Sequence, residues 1–342
     1  MNLNDLTAFR ALDSSDILST IQATPGQLVT AYQSGLADGL AGVDFSQVRI
    51  LLAVGVGDAV IGADLLASYA NVRLPIPLVV HRDDHLPAWA NGKQTLVFLH
   101  PMPEAGDILD RATRLGCQVI WLGKPKAAES ALVWESPVKA SAGWYFGRLY
   151  AALELAGLLP ALNGDLDEAV QVMQHSLAAM LPEVPVARNP AKRLAGQFYD
   201  RRVMLFAAEF LIPVARLWKM RINTFAKAGA DFEIIPEADY NSLAGLDHPV
   251  GGIKDLMAVF LRASALSPRN LRQLDLTRQA CLQQGINTDF IDARGASRMA
   301  QLWTSVLFAE MTAYYLAMAY GVDPGQNEML EAFHAEMSQM EG

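Results

Sequence analysis

The chain has 342 residues, 52% of them hydrophobic, with 27 lysines and arginines against 36 aspartates and glutamates and a formal net charge of −9. That length suits about two domains at roughly 150 residues each, enough to bury proper cores, and excludes a disulfide-stapled mini-protein. The acidic balance argues against nucleic acid or an anionic membrane surface as the main partner.

The segment Met1 to Asp5 carries an acid, no positive charge precedes Arg10, and no apolar run follows. It therefore reads as no signal peptide, and the expected location is the cytoplasm. Cys117 and Cys281 lie far apart without a C-x-x-C pattern, so buried small hydrophobes are expected rather than a disulfide or a zinc knuckle.

In the first half, Arg49 to Val54 reads as a strand, Gly55-Val-Gly-Asp58 as a tight turn and Ala59 to Tyr69 as a helix. Further strands are expected at Leu78 to His81, Thr95 to Leu99 and Gln118 to Leu122, with a helix from about Glu104 to Leu115 joining the last two. Short continuous apolar strands alternating with helices indicate a parallel sheet covered on both faces, so the expected class is doubly wound α/β.

An apolar helix is expected between Ser141 and Leu159, another from Leu166, and a proline-rich loop from Leu181 to Pro190. The α/β pattern then returns. Strands are expected at Arg202 to Ala207, Phe232 to Ile235, Leu256 to Leu261 and Asp289 to Asp292, with helices at Leu211 to Ala228 and Pro268 to Gln284. Long helices from Ala296 to Tyr320 and Gly325 to Met340 close the chain. Within the first of these, Glu310 near the middle of the apolar window Trp303 to Val322 suits a buried core helix better than a membrane span. The two halves suggest an internal duplication, divided here as 1–157, including a helical N-terminal extension, and 158–342.

Several segments keep a common order: Gly55-Val-Gly-Asp-Ala-Val-Ile-Gly62, Arg82-Asp-Asp-His-Leu-Pro87, Leu211-Ile-Pro-Val-Ala-Arg-Leu-Trp-Lys219 and Asn223-Thr-Phe-Ala-Lys227. Pro236-Glu-Ala-Asp-Tyr-Asn241, Ala293-Arg-Gly-Ala-Ser297 and Tyr315 to Pro324 follow. Together they resemble the bifunctional phosphoglucose/phosphomannose isomerases, two-domain sugar isomerase (SIS) proteins, from about Arg49 to the C-terminus. The resemblance implies two SIS domains with parallel sheets flanked by helices, a homodimer, and aldose–ketose isomerisation of a sugar phosphate through an enediol(ate). It implies no metal and no organic cofactor.

Such a reaction needs a base, a stabiliser of enediolate charge and a group that opens the sugar ring. By the resemblance, Glu237 matches the family's base after proline, at the carboxyl end of a strand where open α/β sheets place ligands. Lys139, in Pro137-Val-Lys-Ala-Ser141, stands where the family has an arginine facing the developing charge, and keeps the charge without the planar fork. His334 corresponds by spacing to a lysine of the last helix, and His248 is the histidine that follows the base. The plainer alternatives are a solvated acid at a strand end, a surface lysine, an exposed helix histidine and a loop histidine.

The family's phosphate loops are altered. Gly55, Gly57, Asp58 and Ala59 make up the first, where Ala59 replaces a hydroxyl and Asp58 is expected at the helix N-cap, satisfying the donors a phosphate would use. The second corresponds to His100-Pro-Met-Pro-Glu-Ala-Gly-Asp107, with two prolines that lack N–H groups, the acids Glu104 and Asp107, and no serine or threonine. Tyr240 and Ser242 also replace a histidine and a glutamate of the pattern. A phosphate held elsewhere would have Arg82, Lys219 or Arg221 at hand, although these suit structural or surface ions better. These losses keep a second reading open, a non-catalytic SIS protein that binds a sugar or related small ligand or serves a regulatory partner.

Two other signals lead nowhere on the sequence alone. His81-Arg-Asp-Asp-His85 gathers two histidines and two acids, but on a strand and turn they are not expected to point to one centre, so no metal site is expected. The glycine turn departs from a dinucleotide fingerprint in the spacing of its third glycine.

Overall fold

The computed structural model describes residues 2–103, 105–123, 131–137, 139–248 and 250–340. In chain order the elements are α1 (Leu6–Leu12), α2 (Ile17–Asp38), β1 (Ile50–Val54), α3 (Asp58–Ala70), β2 (Leu78–His81), β3 (Thr95–Leu99), α4 (Ala105–Arg114), β4 (Gln118–Leu122), β5 (Leu132–Trp134) and α5 (Ala142–Leu155). They continue with α6 (Asn163–Ala178), α7 (Pro190–Phe198), β6 (Arg202–Ala208), α8 (Ile212–Ala226), β7 (Ala230–Ile235), β8 (Leu256–Arg262), α9 (Pro268–Gln283), β9 (Asn287–Asp292), α10 (Arg298–Tyr320) and α11 (Glu328–Met340). The class is α/β with two parallel sheets flanked by helices, as expected.

One compact unit comprises Ala23–Gln171 and Ser297–Leu302. Its five-stranded sheet has the order β2-β1-β3-β4-β5 and is parallel throughout. Every residue of β3 is buried, which is why that strand reads as an unbroken apolar run. One core packs Leu52, Val54, Val97, Leu99 and Trp121 against Ile108, Leu109 and Ala112, the apolar stripe of α4. Helices α3 and α5 meet so closely that a Cβ on Gly62 would stand 2.6 Å from the Ala142 carbonyl oxygen.

The other unit comprises Met1–Gln22, Val172–Ala296 and Trp303–Gly342. Its sheet has the order β7-β6-β8-β9, again parallel, with Phe206 of β6 stacked on Phe260 of β8 at 4.7 Å between ring centroids. Helix α10 is buried along most of its length, as read from the sequence, and Glu310 within it pairs with Arg221 of α8 at 2.8 Å. Among the described residues no helix is long and apolar enough to cross a membrane.

These units divide the chain differently from 1–157 and 158–342. Residues 1–22 group with the second sheet because Phe9 of α1 is buried against Tyr314 and Tyr315, and Asn4 accepts a hydrogen bond from the Val186 N–H at 3.0 Å. Residues 158–171 stay with the first sheet, where the Tyr150 hydroxyl donates to the Pro160 carbonyl at 3.0 Å.

Candidate active site

The first loop leaves β1 at Gly55, which is buried, and Gly55 N–H donates to the His81 carbonyl of β2 at 3.2 Å. A Cβ here would lie 2.7 Å from the His100 Cβ, so only glycine lets β1 and the segment after β3 run this close. Gly57 has φ 60° and ψ −139°, a conformation glycine adopts without strain, and it is the N-cap of α3. This corrects the expectation for Asp58. It is the first helical residue rather than the cap, and it is exposed.

The charge of Asp58 still stands where the helix dipole and N–H groups would attract an anion. It is felt locally: burial pushes the Tyr145 phenol up, and the Asp58 carboxylate adds to that shift. Ala59 follows within α3.

In the second loop, His100 is fully buried, its ring 5.1 Å from that of Tyr145, and its backbone N–H donates to the Val54 carbonyl at 2.9 Å. Its side chain is therefore part of the packing beneath the loops. Pro101 and Pro103 are exposed, Asp107 lies in the first turn of α4, and Glu104 falls outside the described residues. Lys139 is exposed just before α5, and its carbonyl accepts from the Gln27 amide at 3.1 Å.

Glu237, His248 and His334 lie in the other unit. Glu237 opens a short 3-10 turn, Glu237–Tyr240, directly past the carboxyl end of β7. It is exposed, and its Oε1 accepts from the Asn241 amide at 3.3 Å. The Ser242 hydroxyl lies 2.8 Å from Asn241 Oδ1 and 2.7 Å from a Glu233 carboxylate oxygen, so polar side chains run from β7 to the carboxylate. The serine that departs from the family pattern thus links the turn to β7 through Glu233. Asp239 anchors the same turn by accepting from Gln273 and Thr277 of α9 at 3.0 and 2.7 Å.

His248 is exposed after the 3-10 turn Ala244–Asp247, and His334 is exposed on α11 with its ring 5.6 Å from Phe333. Of the cations considered for phosphate, Arg82 is paired with Asp64, Arg221 is buried with Glu310, and Lys219 stays half-buried on α8.

Sequence reasoning missed Glu209. It follows β6 with φ 51°, and its Oε1 accepts from the Ser267 N–H at 2.9 Å and the Asn270 amide at 2.7 Å, at the N-terminus of α9. No local motif announces it, because its partners are contributed from the distant segment that opens α9. The structure also overturns the expectation that His81, Asp83 and His85 diverge: one donor atom of each lies within 4.8 Å of the others.

A family model described as the bacterial phospho-glucose isomerase C-terminal SIS domain matches residues 187–337. A bifunctional phosphoglucose/phosphomannose isomerase of Caldicellulosiruptor bescii is 25% identical over 326 residues, which cover 90% of this chain and 95% of the relative. Among solved structures, a glucose-6-phosphate isomerase like protein from Thermus thermophilus superposes with a TM-score of 0.63 at 21% identity, covering 96% of this chain and 98% of the other. The C-terminal domain of glucosamine-fructose-6-phosphate aminotransferase from Francisella tularensis has a TM-score of 0.70 at 11% identity, covering 91% and 97%. The resemblance carried by the motifs is thereby established: residues 187–337 match a SIS domain of the bacterial phosphoglucose isomerase kind, and nine-tenths of the chain is similar in sequence to a bifunctional phosphoglucose/phosphomannose isomerase.

Proposed function

We propose that the protein is an aldose–ketose isomerase acting on a sugar phosphate in the cytoplasm, as the names of its relatives suggest. The observation that carries this is Glu237, an exposed carboxylate at the carboxyl end of β7, oriented by Asn241 and backed by Ser242 and Glu233. As base, it takes the C2 proton of the open-chain aldose and returns it to C1. By the resemblance, Lys139 is the counterpart of the family's charge-offsetting arginine, and His248 or His334, in the same unit as Glu237, moves the proton that opens the ring. Gly55, Gly57 and the segment from His100 shape the floor and rim of the substrate loops.

The phosphate pose is the departure from the relatives. A charge of about −1.5 to −2 placed on the α3 N-terminus would meet Asp58. At about 4 Å and an effective dielectric near 20 that repulsion is on the order of 4 kcal/mol per pair of unit charges. The substrate phosphate therefore sits away from Asp58, or the substrate is altered. The same aspartate, with Pro101 and Pro103, favours the second reading, a sugar-binding SIS protein without catalysis.

The homodimer belongs to this proposal. Met329, Phe333 and Met337 recur every fourth residue on α11 and are exposed, Met329 by 86% and Phe333 by 57%. A second copy would cover that stripe, and sedimentation equilibrium would measure it.

Proton NMR of fructose 6-phosphate in deuterated water tests the isomerase reading. The expected result is deuterated glucose or mannose 6-phosphate with the wild type and none with Glu237→Gln. No product and no deuterium exchange at high protein concentration would leave the ligand-binding reading standing.

A further inference from the structure

The segment leaving β2 holds titratable side chains for which isomerisation has no use. His81 is the last residue of β2 and half-buried, while Asp83 and His85 are exposed just beyond it. The chain bends over residues 83–85 directly after the strand, and the bend folds Asp83 and His85 back toward His81. One donor atom from each lies within 4.8 Å of the other two.

Hydrogen bonding prepares both imidazoles. His81 Nε2 lies 2.7 Å from the His85 carbonyl oxygen. A carbonyl only accepts, so this nitrogen carries the proton and leaves Nδ1 of the neutral ring with its lone pair. Metal-binding histidines show that arrangement, the second ring nitrogen donating to a carbonyl that fixes tautomer and orientation. His85 Nδ1 stands 3.1 Å from Asp83 Oδ1 and 3.1 Å from Asp84 Oδ1, so nitrogen and carboxylate oxygens already converge around one proton. The cation within the segment, Arg82, is directed to Asp64 of α3.

We propose that His81, Asp83 and His85 form a binding site for a divalent transition-metal ion of the zinc type. Two imidazoles and a carboxylate suit zinc, cobalt(II) or nickel(II) and are poor hosts for magnesium or calcium, which take oxygen ligands. Bonds of about 2.0–2.1 Å set ligand atoms roughly 3.3 Å apart in a tetrahedron. Rotamer changes of exposed Asp83 and His85 supply the contraction from 4.8 Å, and the Asp84 carboxylate or water takes the fourth position. A bound ion would also fasten the end of β2, whose His81 carbonyl receives the Gly55 N–H.

The experiment is a calorimetric titration of chelator-stripped protein with zinc chloride, with cobalt(II) absorption as a second probe. The expected result is one equivalent bound, visible cobalt bands of a tetrahedral site, and affinity reduced at least about tenfold by His85→Ala and by Asp83→Asn. His175→Ala, in the last turn of α6, is expected to change nothing. Absence of binding, or binding unaltered by His85→Ala and Asp83→Asn, overturns the site. Because His85 and Asp83 are exposed, neither variant threatens folding, and the heat of binding is read independently of any isomerase activity.

Discussion

The two sheets share a topology and differ in how they treat the turn after their second-position strand. The orders β2-β1-β3-β4 and β7-β6-β8-β9 correspond strand for strand, and the first sheet adds β5. After β1 the chain turns at Gly57 with φ 60°; after β6 it turns at Glu209 with φ 51°. Glycine adopts that region freely, whereas for glutamate it is strained, and the turn places the Glu209 carboxylate at the N-terminus of α9. One unit therefore leaves a helix end beside the exposed Asp58, and the other closes a helix end with its own anion. A positive φ after the strand is common to both units, but it leads to an exposed acid at the helix end in the first and to an internal brace in the second.

The largest expected break in this comparison lies beneath the second sheet. Arg221 and Glu310 are 5% and 3% exposed, and Arg221 Nε and Nη2 both donate to Glu310 Oε1, at 3.0 and 2.8 Å. Arg221→Met should cost about 3–5 kcal/mol in urea unfolding, because it strands a buried carboxylate, while adding Glu310→Leu should restore most of the loss. The first unit has a steric counterpart at Gly62. An alanine there would bring its Cβ 2.6 Å from the Ala142 carbonyl oxygen and 2.9 Å from the Phe146 nitrogen, both backbone atoms that yield little. Gly62→Ala should lower stability by roughly 1–3 kcal/mol, read from the same unfolding curves.

What the sequence made legible follows from range. Strands β3 and β4 stand where the apolar runs placed them, since a strand buried on both faces leaves an unbroken hydrophobic stretch in the sequence; β2, half-buried at the sheet edge, also stands at its expected bounds. Strand β5 did not. Leu132–Trp134 is three residues long, and its Trp134 is covered by the Arg148 guanidinium 4.6 Å above the ring, a contact from α5 that no local pattern carries. Helix α7 hid behind the prolines that precede it. Pro190 is its first residue and Asn189 its N-cap, accepting from the Lys192 N–H at 3.1 Å, so a residue read as part of a loop is a helix start. The candidate base Glu237 was legible through the resemblance of Pro236-Glu-Ala-Asp-Tyr-Asn241 to the family's pattern, since a strand end alone reads equally as the place of a solvated acid. Its supports Glu233 and Ser242 were not, because their hydrogen bond forms only once β7 and the turn after it are folded.

The smallest expected effect separates the two turns most directly. Glu209→Gln keeps the length and an acceptor oxygen for the Ser267 N–H and the Asn270 amide, and removes only the charge at the N-terminus of α9. The loss should be about 0.3–1 kcal/mol, the usual worth of an anion on a helix dipole, and salt should reduce it. Asp58→Asn removes a charge from the first turn of α3 and gives the reference for that loss. If the Glu209 variant loses more than its Asp58 counterpart and the difference survives high salt, the hydrogen-bonded brace outweighs the dipole. Equal losses would make the two helix ends electrostatically alike, and the contrast between an open loop and a closed one would then rest on backbone geometry alone.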